Sequence, residues 1–102
     1  MTTNIEPKKS AEQWFQEGLA ASKLGDPRTC LESYKRAIEV DPDHFLAQFN
    51  LGIRYGKLPM NIEAARHFRE ALRLKPESPM VHYSLAVVCN LIGETDDAFQ
   101  HY

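Results

Sequence analysis

Cysteine, net charge and long apolar runs are all scarce in this sequence. Its 102 residues include two cysteines, Cys30 and Cys89, whereas a disulfide-stapled domain of this size carries a larger even set. We therefore expect free, buried thiols and a reducing, cytoplasmic compartment. The formal net charge of -2 argues against a nucleic-acid or anionic-membrane partner. No apolar run approaches the ~18 residues of a membrane span, and the first ten residues lack the apolar stretch of a secretory signal.

Motifs for catalysis and metal binding are also missing from the sequence. There is no glycine-rich phosphate loop and no nucleophile elbow. The four histidines, His44, His67, His82 and His101, show no metal-ligand spacing with each other or with the cysteines. We treat them as ordinary polar residues. The sequence thus predicts a protein that is not an enzyme and that holds no metal or cofactor.

The most informative feature that the sequence does have is an internal repeat. When the chain is shifted against itself by 34 residues, residue types coincide without a gap. The coinciding sets include Phe15 with Phe49 and Tyr83, Gly18 with Gly52, Cys30 with Ala64 and Ala98, Tyr34 with Phe68 and Tyr102, Ala37 with Ala71, and Pro42 with Pro76. This pattern indicates three repeats, of which the third is incomplete.

Repeat one reads as two helices joined by a short turn. Ser10 and Gln13 have the spacing of a capping box, which predicts a first helix that runs to about residue 24. Gly25 ends that helix, and Asp26 with Pro27 begins the second one, because proline at the first helical position loses no hydrogen bond. The second helix is expected to end near residue 40, before Asp-Pro.

The other two repeats follow the same plan. In repeat two we expect a first helix over about 45–58, followed by a break at Pro59. The second helix is capped by Asn61 and runs to residue 74. In repeat three we expect a helix capped by Ser78, a turn at Gly93 and a new helix from Thr95. The chain is therefore predicted to form about six antiparallel helices.

These residues resemble the tetratricopeptide repeat (TPR) family. Its pattern of Leu-Gly, tyrosine, small residue, aromatic, alanine and proline is nearly complete in repeat two, at Leu51, Gly52, Tyr55, Ala64, Phe68, Ala71 and Pro76. Repeat one departs from it at Glu17, where leucine is usual. The resemblance implies an all-α fold, a right-handed α-α superhelix. After a flexible leader over 1–10, the domain at 11–102 would comprise repeats at 11–44 and 45–78 and a truncated repeat at 79–102.

The resemblance also implies a concave groove lined by the first helix of each repeat. In that groove a protein-interaction module would bind a peptide or an amphipathic helix of a partner. The implied lining is Phe15, Leu19, Lys23, Phe49, Asn50, Ile53, Lys57, Tyr83, Ser84 and Val87. Asn50 is expected to hydrogen-bond a ligand backbone. The competing interpretation is that Phe15, Phe49 and Tyr83 simply pack between neighbouring helices.

One TPR subtype clamps the C-terminal carboxylate of heat-shock chaperones with lysine, arginine and asparagine. Here the corresponding positions hold Phe15, Leu19, Asn50, Met80 and Ser84. Only Asn50 fits, so a carboxylate would be desolvated there without partners. We do not expect this chain to act as such a clamp.

Two other functions stay open at this point. The incomplete third repeat lacks a terminal cap, so the chain could be a structural scaffold that self-associates into a homo-oligomer through this end. It could also be a recruitment appendage of a longer enzyme.

Overall fold

The computed structural model describes residues 8–101, with the side chains of residues 8–93. Within that range there are five helices and no strands: α1 (Ala11–Lys23), α2 (Pro27–Val40), α3 (Phe45–Lys57), α4 (Asn61–Leu74) and α5 (Pro79–His101). α1 packs against α2 and α3 against α4, and the pairs stack through α2 with α3 and α4 with α5. The first seven residues of the predicted leader, together with Tyr102, lie outside the described residues, as do the side chains from residue 94 onward.

Local capping signals in repeat one define the starts of its helices. The Gln13 N–H donates to Ser10 Oγ at 3.1 Å, and the Ser10 N–H donates to Gln13 Oε1 at 2.7 Å. The predicted capping box is thus confirmed. The Thr29 N–H donates to Asp26 Oδ1 at 3.2 Å, and Pro27 is the first residue of α2, as predicted.

Gly25 makes the turn between α1 and α2. Its φ of 75° lies in the left-handed region that glycine tolerates best. The Gly25 N–H donates to the Ser22 carbonyl at 3.1 Å, and the Asp26 N–H donates to the Ala21 carbonyl at 2.9 Å. This pair of bonds satisfies two carbonyls at the end of α1, which explains why the helix ends here.

The predicted cap of α4 is wrong by one residue. Asn61 is the first residue of the helix, and Met60 occupies the capping position without a side-chain hydrogen bond. The Met60 N–H donates to the Tyr55 carbonyl of α3 at 2.7 Å, so the end of α3 holds the residue at which α4 can begin. Backbone contacts between the two helices therefore replace the expected asparagine cap.

The predicted turn at Gly93 and restart at Thr95 are also wrong. α5 continues through both residues from Pro79 to His101, so repeat three supplies one helix and the described chain has five helices rather than six. Repeats one and two have a proline between their helices, Pro27 and Pro59, but no proline follows Pro79. A glycine alone lowers helix stability by only about 1 kcal/mol and leaves every backbone donor in place.

Two apolar clusters form the core. The first contains Phe15, Cys30, Tyr34 and Leu51, so it joins repeat one to α3. The second cluster joins α3 and α4 to α5 through residues that include Phe49, Phe68, Ala71, Val81 and Val88. Both cysteines are free thiols, and Cys30 is buried as expected, but Cys89 is only partly buried.

Candidate functional site

The ten predicted groove residues lie on the three helices that begin each repeat. α1 contributes Phe15, Leu19 and Lys23, α3 contributes Phe49, Asn50, Ile53 and Lys57, and α5 contributes Tyr83, Ser84 and Val87. Spacings of three and four residues place each set on one side of its helix. We call these ten residues the first-helix face. α3 connects its neighbours, because Leu51 shares a core cluster with Phe15 of α1 and Phe49 shares one with Val81 of α5.

The three aromatic residues of this face differ sharply in exposure. Phe15 is 3% exposed and Phe49 is 7% exposed, whereas Tyr83 is 73% exposed. The Phe15 ring centre lies 5.6 Å from that of Tyr34, and the Phe49 ring centre lies 5.7 Å from that of Phe68. Phe15 and Phe49 therefore pack between helices, as the competing interpretation states, and only Tyr83 presents its ring to solvent.

The difference in exposure is explained by whether the first helix of the next repeat packs over the aromatic ring. His44, at the start of α3, covers Phe15 with a ring-centre distance of 5.0 Å. Phe49 is covered in the same way by the cluster that includes Val81 and Val88 of α5. No further first helix follows α5 within the described residues. Tyr83 has the corresponding place in repeat three, but no described helix packs over it.

The rest of the first-helix face is accessible to a ligand. Lys23, Lys57 and Val87 are exposed, whereas Leu19, Asn50, Ile53 and Ser84 are half-buried. Two further apolar residues extend it: Leu46 is 48% exposed and Met80 is 66% exposed. Each lies three residues before a predicted member, a spacing that places it on the same side of the helix and that was visible in the sequence.

Asn50 has an unused polar side chain on this face. No hydrogen bond to its amide is made within the described part of the chain, and no described buried side-chain polar atom lacks a partner. A half-buried amide offers two donors and one carbonyl acceptor. It can therefore bond both the N–H and the C=O of an extended or helical peptide.

Charges of opposite sign lie at the two ends of α1, with Glu12 in its first turn and Lys23 in its last turn. At the start of α1, Glu12 Oε2 accepts from Gln16 Nε2 at 2.7 Å, and Glu12 Oε1 lies 2.8 Å from His44 Nε2. The bond from Gln16, followed by the one from His44, lowers the pKa of the Glu12 carboxyl. Lys23 and Lys57 lie at the opposite helix ends. A ligand on this face therefore meets a carboxylate at one end and two ammonium groups at the other.

A polar contact between Gln48 of α3 and His67 of α4 was not predicted from the sequence. The buried Gln48 donates through Nε2 to the Pro42 carbonyl at 2.9 Å, and its Oε1 accepts from His67 Nδ1 at 2.8 Å. His67 stacks on Tyr55 with ring centres 5.5 Å apart. Burial, followed by the nearby Arg66, lowers the pKa of His67. The sequence did offer one sign of this contact, since Gln48 is a polar residue at the position that Trp14 occupies in repeat one.

Neither a metal-binding cluster nor a membrane-spanning helix is found among the described residues. None of them form a group of three or more histidines, cysteines or acidic residues close enough to hold a metal ion. No helix within the described range has the length and apolar character required to cross a membrane.

Comparison with known proteins identifies the repeat. Two models described as tetratricopeptide repeat match residues 11–44 and 63–102. The tetratricopeptide repeat-containing protein trd-1 of Caenorhabditis elegans is 34% identical over 92 residues, which cover 87% of this chain and 12% of trd-1. The photosystem I assembly protein Ycf3 of Synechococcus elongatus is 27% identical over 104 residues, which cover 92% of this chain and 60% of Ycf3. The chain thus spans only part of these relatives.

Solved structures agree on the fold. The second TPR domain of Spaghetti (RPAP3), solved with the HSP90 peptide SRMEEVD, superposes with a TM-score of 0.77 at 22% identity, covering 90% of this chain and 85% of that one. At this identity the likeness concerns the fold alone. The two family matches show that this all-helical chain belongs to the tetratricopeptide repeat family.

Proposed function

We propose that this chain is a protein-interaction module that binds a peptide or an amphipathic helix of a partner protein on the first-helix face. The observation that carries the proposal is the exposure of Tyr83, at 73%, on a face that also contains the half-buried Asn50 and Ile53. Buried aromatic anchors dominate the energetics of such interfaces, and tyrosine supplies contact area at low conformational cost. A face that carries an exposed aromatic ring and an unpaired amide is suited to that use.

Within the first-helix face, we distinguish buried residues that form the floor of the site from accessible residues that contact the ligand. Phe15 and Phe49 belong to the floor, because they are packed in the core and fix the spacing of the helices. Tyr83, Val87 and Ile53 provide the apolar contacts, and Asn50 bonds the ligand backbone. A ligand with apolar side chains at helical or extended spacing fits this arrangement best.

The repeats define the domain in which this face is built. We assign residues 11–102 to one TPR domain after a leader at 1–10, with repeats at 11–44, 45–78 and 79–102, arranged as a right-handed superhelix whose concave side carries the face. Its role is binding and not catalysis, in the cytoplasm. Carboxylate clamping of the chaperone type is not part of this role, because Phe15 is buried and Leu19 and Met80 supply no charge.

A peptide selection followed by calorimetry tests this function. Peptides are selected from a displayed library on the folded chain, and their affinity is measured for the parent, Tyr83→Ala and Asn50→Ala. We expect each variant to weaken binding by about tenfold, which corresponds to ~1.4 kcal/mol. Ile62→Ala is the matched control, since Ile62 is 69% exposed but lies on α4. Equal affinities for all four proteins would refute the first-helix face as the binding site.

Self-association is the second candidate, and the exposure of α5 favours it. Met80 is 66% exposed, Tyr83 is 73% exposed and Val87 is 42% exposed, and contiguous apolar surface of this kind is typical of interaction sites. Light scattering across a wide concentration range distinguishes the two functions. A monomer leaves the face free for a partner, whereas a dimer that Tyr83→Ala dissociates would make assembly the main function.

A further inference from the structure

A second surface, distinct from the first-helix face, lies at the junction between repeats one and two. The N-terminal half of α2 and the C-terminal end of α3 enclose a cleft of about 430 Å³. Its lining consists of Pro27, Arg28, Leu31, Arg54, Lys57 and Leu58. We call it the junction cleft. Lys57 is shared with the first-helix face, but the other five residues are not.

The corresponding junction between repeats two and three has different chemistry. At the shift of 34 residues, Leu31 corresponds to Ala65 and Arg54 to Val88. Ala65 is 1% exposed and Val88 is 6% exposed, so small apolar side chains are buried together there. In the junction cleft, by contrast, an arginine stands in the place of the buried valine. The chemistry of the cleft lining therefore differs from that of the corresponding residues at the second junction and does not follow from the repeat pattern.

Arg54 is held in a defined position. Its Nη2 donates to Ser22 Oγ of α1 at 2.6 Å, and this bond ties the guanidinium to the neighbouring helix. A guanidinium has five donors, so most remain available after one bond. An arginine fixed in this way loses little conformational entropy when it binds a carboxylate.

Charge in the junction cleft has one sign. The lining contains Arg28, Arg54 and Lys57 and no carboxylate. Asp26 precedes the lining residue Pro27 in sequence, but its carboxylate accepts the Thr29 N–H at the start of α2. The apolar part of the lining, Pro27, Leu31 and Leu58, lies among these cations. This combination is complementary to a ligand that is apolar at its centre and anionic at its edges.

We propose that the junction cleft is a docking site for an acidic peptide segment of a partner protein, which inserts one large apolar side chain between α2 and α3 and places flanking carboxylates on Arg28 and Arg54. The size of the cleft fits this occupant. A cavity of about 150 Å³ holds benzene, so about 430 Å³ admits a leucine or phenylalanine side chain with part of its backbone. The volume also lies in the ~300–1,000 Å³ range of ligand pockets.

Nuclear magnetic resonance titration with synthetic peptides tests the proposal on the whole chain. The probe is a seven-residue peptide with a central leucine flanked by aspartate and glutamate. One comparison peptide has alanine at the centre, and a second has the acidic residues replaced by their amides. We expect amide shifts at Arg28, Leu31 and Leu58 with the probe, and about tenfold weaker binding for each comparison peptide. Raising the salt concentration should weaken probe binding as well.

Matched protein variants locate the site. Arg28→Glu and Leu58→Ala should each weaken the probe about tenfold, and thermal melts verify that they fold. Arg66→Glu is the control, because it makes the same charge change on α4, where Arg66 pairs with Glu63 at 2.6 Å. The proposal would be overturned if the probe bound Arg28→Glu and Leu58→Ala as tightly as it binds Arg66→Glu. It would also be overturned if the amide or alanine peptide bound the parent as tightly as the probe does, or if millimolar probe caused no amide shifts.

The test separates this proposal from the proposed function. Arg28 and Leu58 are not members of the first-helix face, and Asn50 and Tyr83 do not line the junction cleft. Probe shifts at Asn50 and Tyr83 in place of the cleft amides would refute the cleft while leaving the face in use. Loss of face binding in Tyr83→Ala with probe binding unchanged would support both.

Discussion

Replacing Gly52 by alanine tests directly how α3 and α4 pack. A Cβ at this position would lie 2.6 Å and 2.7 Å from two ring carbons of Phe68, whereas ordinary contact begins at 3.4 Å. The ring would have to move by about 0.8 Å. Phe68 is 2% exposed and packs on Phe49 with ring centres 5.7 Å apart, so it has no empty space to enter. Overpacking of this kind costs about 1–3 kcal/mol.

The better helix propensity of alanine opposes this cost by about 1 kcal/mol. We therefore expect Gly52→Ala to lower the free energy of unfolding by up to about 2 kcal/mol, with a fall in Tm of about 4–8 °C per kcal/mol. Urea denaturation followed by circular dichroism measures the first quantity, and calorimetry measures the second.

Gly56→Ala is the matched control for this prediction. Gly56 also lies in α3, but nothing is found within 4 Å of its Cβ position. The substitution should stabilise the chain, by less than about 1 kcal/mol because the residue is next to the helix end. The same sign for both variants would refute the reasoning. Adding Phe68→Leu to Gly52→Ala should recover part of the loss, with a coupling energy of at least about 0.5 kcal/mol.

Three further predictions concern the turn, the first cap and the polar link. Gly25→Ala should destabilise the chain by about 1–2 kcal/mol in urea denaturation, because its φ of 75° is unfavourable for alanine; an unchanged midpoint would contradict this. Ser10→Ala should lower stability by about 1 kcal/mol by removing the cap of α1, whereas Ser10→Asp should retain most of it. Burial lowers the pKa of His67, so the folded state favours the neutral ring. The contribution of His67 to the free energy of unfolding is complete above the unfolded-state pKa of about 6.5. It decreases as the pH falls from there toward the lower pKa of the folded state. Melts between pH 7.5 and 5.5 should therefore show a larger loss for the parent than for His67→Gln, and parallel curves would contradict this.

The helices of repeat one could be predicted because their signals are local. Ser10 with Gln13, Gly25, and Asp26 with Pro27 act within one turn of the chain, and all behave as expected. The two errors arose where the decisive contact is not local or where the signal is weak. The start of α4 depends on a bond from Met60 to the end of α3, and Gly93 lacks the proline that would make its break obligatory.

For the candidate site, the family resemblance assigned the ten residues to the first helix of each repeat, and they lie on α1, α3 and α5, but it could not rank them by exposure. Phe15, Phe49 and Tyr83 are equivalent in the repeat, and yet two are buried and one is exposed. Burial depends on whether another first helix packs over the residue, which no pattern within one repeat records. The junction cleft was missed for the same reason, since its lining comes from two helices of different repeats.

The sequence alone determined the 34-residue repeat and the bounds of the helices in repeat one, because these follow from periodicity and from capping over a few residues. Tertiary structure alone decided which of the equivalent positions face solvent, where Gln48 and His67 meet, and that basic side chains line an open cleft at the first junction. The physical reason is that burial and electrostatic environment depend on every element packed nearby, whereas helix formation depends mainly on neighbours in sequence.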